Sequence, residues 1–382
     1  MFKGLVYLDN NSTTKVDKRV IDAMVPFMGT YYGNPSSKHK LGKYAQFSIE
    51  KAREQVACLI NAPSKDEIIF TSGATEAINL AIKGIAEANK NRGNHIITVK
   101  TEHSAVLDTC NYLSHNGFSI TYLNVDKSGL IDLKELKKSI KKETILVSIM
   151  YVNNETGVIQ PINKIIQILK KNKEIFFMTD ATAAIGKIPI DVQKENIDLL
   201  VFSGHKIYGP KGIGCLFINR KRKSIDMIPQ IHGGGHENGI RSGTLNTPAI
   251  IGMGKACELL KKEQFSEIVK IHKLRDYMEN ELLKIGNTSI NGGKKRVGNV
   301  TNICFNNVNN QSLIFALPNI AVSSGSACSD LAETSHVLNS MKLSNREIVS
   351  SIRISLGRFN DKRQISKAIR EIKFQVKRLR KN

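Results

Sequence analysis

At 382 residues the chain is too long for one compact core and suggests two domains, or a large one with an appendage. Hydrophobic residues at 41% and charged residues at 24% are ordinary for a soluble globular protein, and no stretch approaches the roughly 20 apolar residues that span a bilayer. The formal charge of +22 could mark direct nucleic-acid binding, yet 41 of the 56 basic residues are Lys scattered along helices, a pattern that favours compositional bias as the alternative.

In chain order, the N-terminus lacks an apolar signal region and an Arg/Ser-rich presequence, so a cytoplasmic enzyme is expected. Residues 67–71 read as a strand and 74–89 as a helix; 95–99 as a strand before a helix starting near Ser104; 119–123 as a strand before a helix over 133–141. Residues 144–151 precede a helix over 162–171, and 175–178, 199–202 and 214–218 complete the strands. Strands alternating with helices indicate a mostly parallel sheet covered on both faces, an α/β fold. After about residue 262 the chain turns to charged helices and short strands, consistent with a second domain. Its last helix carries Ile365, Ile369, Ile372, Val376 and Leu379 on one face.

None of the six cysteines is spaced as CxxC, which argues against a disulfide framework and a structural zinc site. Cys58, Cys110, Cys215, Cys257 and Cys304 fall in apolar-periodic segments and are expected to behave as small core residues. Cys328 sits instead among Ser323, Ser324, Gly325, Ser326, Ala327 and Ser329, a thiol mounted on a loop.

Polar residues recur at the carboxyl ends of the expected strands, where ligands of such sheets bind. Ser72-Gly73-Ala74-Thr75 offers hydroxyls and backbone N–H groups at a helix start, suited to a phosphate. Gly233-Gly234-Gly235 and Arg241-Ser242-Gly243-Thr244 form a second anion-friendly region without Walker spacing. Glu102-His103 and Asn153-Asn154-Glu155 are further polar ends. Asp180 ends an apolar strand, and a buried acid needs a partner such as a protonated pyridine nitrogen. Lys206, in Ser203-Gly204-His205-Lys206, could form a Schiff base; with Asp180 it matches what pyridoxal phosphate requires. An amine and the Cys328 thiol together suggest covalent chemistry in two stages.

These segments, with residues 7–14, 33–37 and 353–359, run in family order along nearly the whole chain. The sequence resembles the NifS/IscS-type cysteine desulfurases, in the class V aminotransferase group of fold-type I pyridoxal-phosphate enzymes. The resemblance implies a large cofactor domain over residues 15–262. A smaller α+β domain over 1–14 plus 263–382 would carry the cysteine loop. It implies that Lys206 holds the cofactor and moves protons, that Asp180 pairs with the ring nitrogen, and that His103 stacks on the ring. Ala74, Thr75, Ser203 and His205 would cradle the phosphate, joined by Thr244 across a homodimer, while Asn154 and Arg353 hold the substrate carboxylate. Cys328 would take sulfur from L-cysteine, leaving alanine and a Cys328 persulfide. That sulfur would pass to a scaffold protein or sulfurtransferase for iron–sulfur cluster assembly, tRNA thiolation or DNA phosphorothioation.

The chain departs from the family pattern at three places. Ala183 stands where a Gln usually contacts the cofactor's phenolic oxygen. Residues 329–336 lack the usual Ser-Leu-Glu/Asp-Pro stretch. No longer tail for a scaffold protein follows residue 382. The alternatives are a selenocysteine lyase or an aminotransferase on the same fold, or a weakly active assembly-platform subunit.

Overall fold

The structure, a computed structural model, describes residues 4–170, 172, 174–221, 225–325 and 335–381. A short strand β1 (Val6–Tyr7) is followed by helices α1 (Lys18–Met24) and α2 (Lys40–Leu59). The alternating section then runs β2 (Ile68–Thr71), α3 (Ala74–Ala88), β3 (His95–Val99), α4 (Ser104–Ser114), β4 (Ser119–Leu123), α5 (Leu133–Ser139), β5 (Thr144–Ser148), α6 (Ile162–Leu169), β6 (Phe176–Asp180), β7 (Leu199–Ser203) and β8 (Gly214–Ile218). These elements match the spacing of apolar runs in the sequence closely, because β3, β5, β6 and β7 are buried on both faces and read as largely apolar stretches, whereas the edge strand β4 is mostly half-buried. Strand β5 is shorter than the apolar run suggests. Residues 153–155 therefore lie in the turn beyond it rather than at its end.

The strands form one seven-stranded sheet in the order β2-β8-β7-β6-β5-β3-β4. The pairs from β7 to β4 are parallel, and β8 is antiparallel to both β7 and β2. Side chains alternate across it: Leu199 and Val201 enter the core under α3 and α4, whereas Leu200 and Phe202 enter the core under α2 and α6. Burial of each such side chain contributes about 1.5–3 kcal/mol. Helix α2 also packs against α7 (Thr247–Leu283), so closely that a Cβ on Gly254 would lie 2.6 Å from Ala52 Cα.

Helix α7 has 37 residues, about 55 Å at 1.5 Å per residue. Its Met253 and Leu260 complete the core of the large sheet, and its Ile271, Met278 and Leu282 enter a separate core. That second core lies on a three-stranded antiparallel sheet of β9 (Thr288–Asn291), β10 (Val300–Phe305) and β12 (Ser351–Ser355), in the order β12-β10-β9. Strand β1 pairs in parallel with β11 (Ile320–Ala321) beside it. The terminal helix (Lys362–Leu379) docks there through Ile365, Ile369, Ile372 and Val376, with Leu379 partly buried, as the three-and-four spacing requires.

Four of the five cysteines read as core residues are buried; Cys58 is exposed. It shares the outer face of α2 with Lys51 and Glu54, while Ala52, Val56 and Leu59 face inward. An apolar segment does not bury every position of a helix. Among the described residues no helix is long and apolar enough to cross a membrane, and no cluster of His, Cys, Asp and Glu could hold a metal ion.

Candidate active site

A cavity of about 410 Å³ opens at the carboxyl ends of β2, β5, β6 and β7, walled by residues 10–13 and Arg353 from the smaller sheet. His103, Ala74, Thr75, Asn154, Asp180, Ser203, His205, Lys206 and Arg353 all line it. Thr244 does not, and is exposed in this chain. Cys328 lies outside the described residues.

Strand β7 ends at Ser203, and one turn of 3-10 helix, Gly204–Lys206, then delivers Lys206. Gly204 is required there, since an added Cβ would lie 2.8 Å from Ile213 Cγ2. The Lys206 amine donates to the carbonyls of Asn11 and Ser12, the latter at 2.7 Å. Two residues on, Tyr208 adopts φ +65°, in the left-handed region that side chains rarely occupy. The surrounding structure holds it: its N–H donates to Thr14 Oγ1 at 2.8 Å and its phenol oxygen accepts the Arg358 N–H at 2.7 Å.

Asp180, 6% exposed, ends β6 and accepts the Thr182 N–H at 2.8 Å through Oδ1. His103 caps α4, its Nδ1 accepting the Ala105 N–H at 3.1 Å, which places the proton of the neutral ring on Nε2. Burial lowers the His103 pKa below its ordinary value, with Asp180 opposing and Lys206 reinforcing, so the ring is a neutral acid/base near pH 7. Beside it, the fully buried Glu102 accepts the Met150 N–H at 2.5 Å. Burial, reinforced by Asp180, pushes the Glu102 carboxyl well above the usual range, against the Met150 hydrogen bond.

Helix α3 begins at Gly73 with no side-chain cap, so the N–H groups of its first turn face the cavity beside Ala74 and Thr75. Ser203 Oγ donates to the Ile213 carbonyl at 3.3 Å and keeps its lone pairs. His205 bonds Thr13 Oγ1 at 3.1 Å and is pushed down to about 4 by burial, then by Lys206 and Lys211. Arg241 belongs to a different arrangement: it forms an ion pair with Glu76 at 2.7 Å.

Asn153 shapes the turn after β5 by accepting the N–H groups of Glu155 and Thr156 at 3.0 and 2.9 Å. The next residue, Asn154, lines the site, and its buried Oδ1 has no hydrogen-bond partner. Arg353, 1% exposed on β12, spreads its guanidinium over the Asn154 carbonyl, Asp9 Oδ1 and Ser12 Oγ at 3.2, 3.0 and 2.6 Å. The roles of Asn11, Ser12 and Lys187 at this cavity escaped the sequence reading. Residues 11 and 12 reach it only through tertiary pairing with the C-terminal third, and Lys187 sits in an ordinary-looking Gly-Lys turn.

An anion-receptive helix end, a carboxylate, an imidazole and an amine around one cavity are the donor set of an enzyme working on a phosphorylated aldehyde cofactor. The chain belongs to the class-V aminotransferase family, whose model matches residues 6–367. It is 49% identical over 378 residues to the cysteine desulfurase IscS of Ehrlichia chaffeensis, covering 98% of this chain and 92% of that one. Its structure superposes on a NifS-like protein with a TM-score of 0.92 at 40% identity, covering 98% and 99% of the two chains. It superposes on SspA in complex with cysteine with a TM-score of 0.81 at 38% identity, covering 92% and 98%. The activity is therefore pyridoxal-phosphate-dependent cysteine desulfuration.

The residues present fit that cofactor. The uncapped α3 terminus suits its phosphate and Asp180 its ring nitrogen. Two of the lining residues also carry buried polar atoms without hydrogen-bond partners, Thr182 Oγ1 and Asn154 Oδ1. Ala183 lines the same wall and brings no donor. We expect Ala183→Gln to move the pH midpoint of the bound cofactor's visible band by about one unit, as a hydrogen bond to its phenolic oxygen would. Superimposable titrations of the two proteins would remove any role for this position.

Proposed function

We propose that Lys206 binds the cofactor covalently and later moves a proton at the substrate Cα, with Asp180 holding the proton on the ring nitrogen and His103 serving as a neutral acid/base. The observation that carries this reading is one cavity lined by all three together with Arg353. When bound, pyridoxal phosphate supplies the electron sink for the substrate's Cα. Ala74, Thr75, Ser203 and His205 receive its phosphate at the α3 terminus, with Thr244 acting across a homodimer. Thr244's exposure, away from this chain's own cavity, supports that last assignment. Arg353 and Asn154 bind the substrate carboxylate, a match to the planar guanidinium fork.

Cys328 attacks the substrate sulfur as a thiolate. A sulfur–sulfur bond forms and the substrate's carbon–sulfur bond breaks. The electron pair stays with carbon, which takes a proton and leaves as alanine. In this reading residues 15–262 form the cofactor domain, residues 1–14 and 263–382 form the smaller domain bearing Cys328, and the enzyme works in the cytoplasm. Cys328 hands its sulfur to an acceptor protein, for iron–sulfur cluster assembly, tRNA thiolation or DNA phosphorothioation.

The test is to incubate the purified protein with L-cysteine, assay alanine and map the persulfide by mass spectrometry. Alanine and an added sulfur on Cys328 are expected together, and Cys328→Ser should lower alanine release by at least about 100-fold. Alanine formed with no adduct on Cys328 would falsify its assignment as the sulfur acceptor.

A further inference from the structure

Lys187 is a second buried amine at the same cavity. It follows Gly186, whose φ of +71° turns the chain after β6 back toward β7. The residue is only 9% exposed, and its Nζ donates to the main-chain carbonyl of Lys206 at 3.1 Å. It also lies 5.9 Å from the centre of the Tyr208 ring, against which Arg358 packs at 4.4 Å. Among the described residues no carboxylate forms an ion pair with it. The charged and titratable groups around it are Glu267 on α7, Arg358 beyond β12, Lys206 and Tyr208.

Burying a lysine without an ion-pair partner is costly. A glutamine or a water molecule could satisfy one carbonyl at lower cost, so the position calls for an explanation beyond capping. Lys206 supplies it. Its side-chain tip is held by the Asn11 and Ser12 carbonyls, and its main chain is held by Lys187, so both ends of this residue are fixed.

We propose that Lys187 is a positioning residue for Lys206, anchoring its peptide carbonyl while presenting a second positive charge to the same cavity. The inference rests on the reading of Lys206 as the cofactor-bearing residue. A neighbouring ammonium repels a second positive charge on Lys206 and so favours the neutral amine that can attack an aldehyde. The same repulsion acts in return. Burial pushes Lys187 down to about 8, Glu267 opposes the shift, and Lys206 and Arg358 add to it.

Two measurements test this. Borohydride reduction of the loaded wild-type enzyme, followed by peptide mass spectrometry, locates the pyridoxyl group. The pH profile of acetic-anhydride labelling at Lys206 in cofactor-free protein is then compared among wild type, Lys187→Met and Lys187→Gln. The expected results are an adduct on Lys206 and a labelling midpoint raised by about one pH unit in both variants. Lys187→Gln carries the comparison alone if Lys187→Met does not fold. An adduct on Lys206 with unchanged midpoints overturns the role of Lys187 alone. An adduct on Lys187 overturns both this role and the assignment of Lys206.

Discussion

Replacing Lys206 with alanine is expected to lower alanine production from L-cysteine by about 10⁴-fold, the upper range for removing a group that serves in proton transfer. The same side chain is proposed as the covalent attachment, so the visible absorption of the bound cofactor should change as well. Borohydride should then fix no cofactor to the protein. The fold should survive, because the Lys206 amine donates to the carbonyls of Asn11 and Ser12, which water can replace in an open cavity. Lys206→Arg separates charge from nucleophilicity. A guanidinium keeps the positive charge yet cannot form the linkage, so it should be as inactive as alanine. Activity in Lys206→Arg above about a tenth of wild type would exclude the covalent role.

Asp180→Asn is the second large effect expected. The substitution preserves size and can still accept the Thr182 N–H that Oδ1 accepts at 2.8 Å. In the proposed arrangement it removes the negative charge that would hold a proton on the ring nitrogen. Glu102 is a poor replacement, because burial disfavours the charged form of its carboxyl. Breaking a buried charge pair from one side costs about 3–5 kcal/mol, so kcat should fall about 10²–10⁴-fold with a much smaller change in KM. Asp180→Glu should recover part of the loss. A fall of less than about threefold in Asp180→Asn would mean that the ring nitrogen relies on another group.

Much of the large sheet was legible because most of its strands are buried on both faces and several end in polar residues. Thr71-Ser72-Gly73, Asp180 and Ser203-Gly204-His205-Lys206 announce themselves as strand ends, and strand ends of such sheets bind ligands. What stayed hidden depended on tertiary context. The 37-residue α7 shows no single apolar face, since it serves one core with its first half and another with its second. Cys58 looked like a core residue because its neighbours are apolar, though its own position on α2 faces out. Lys187 carries no local signal at all, and only the return of the β6–β7 turn brings its amine to the Lys206 carbonyl.

The wall formed by residues 10–13 has a consequence for the order in which the enzyme matures. Asn11 donates its N–H to Ser355 Oγ across 344 residues of chain, Ser355 donates back to the Leu8 carbonyl, and β1 lies against β11. Contacts this distant in sequence require closing almost the entire chain into one loop, a slow step with a large entropic cost. During synthesis from the N-terminus, β6, β7 and Lys206 emerge long before β12 brings Arg353 and seats residues 10–13. A nascent chain therefore acquires the proposed cofactor-bearing lysine before the proposed substrate clamp, and the ability to handle cysteine follows only once β12 has been made.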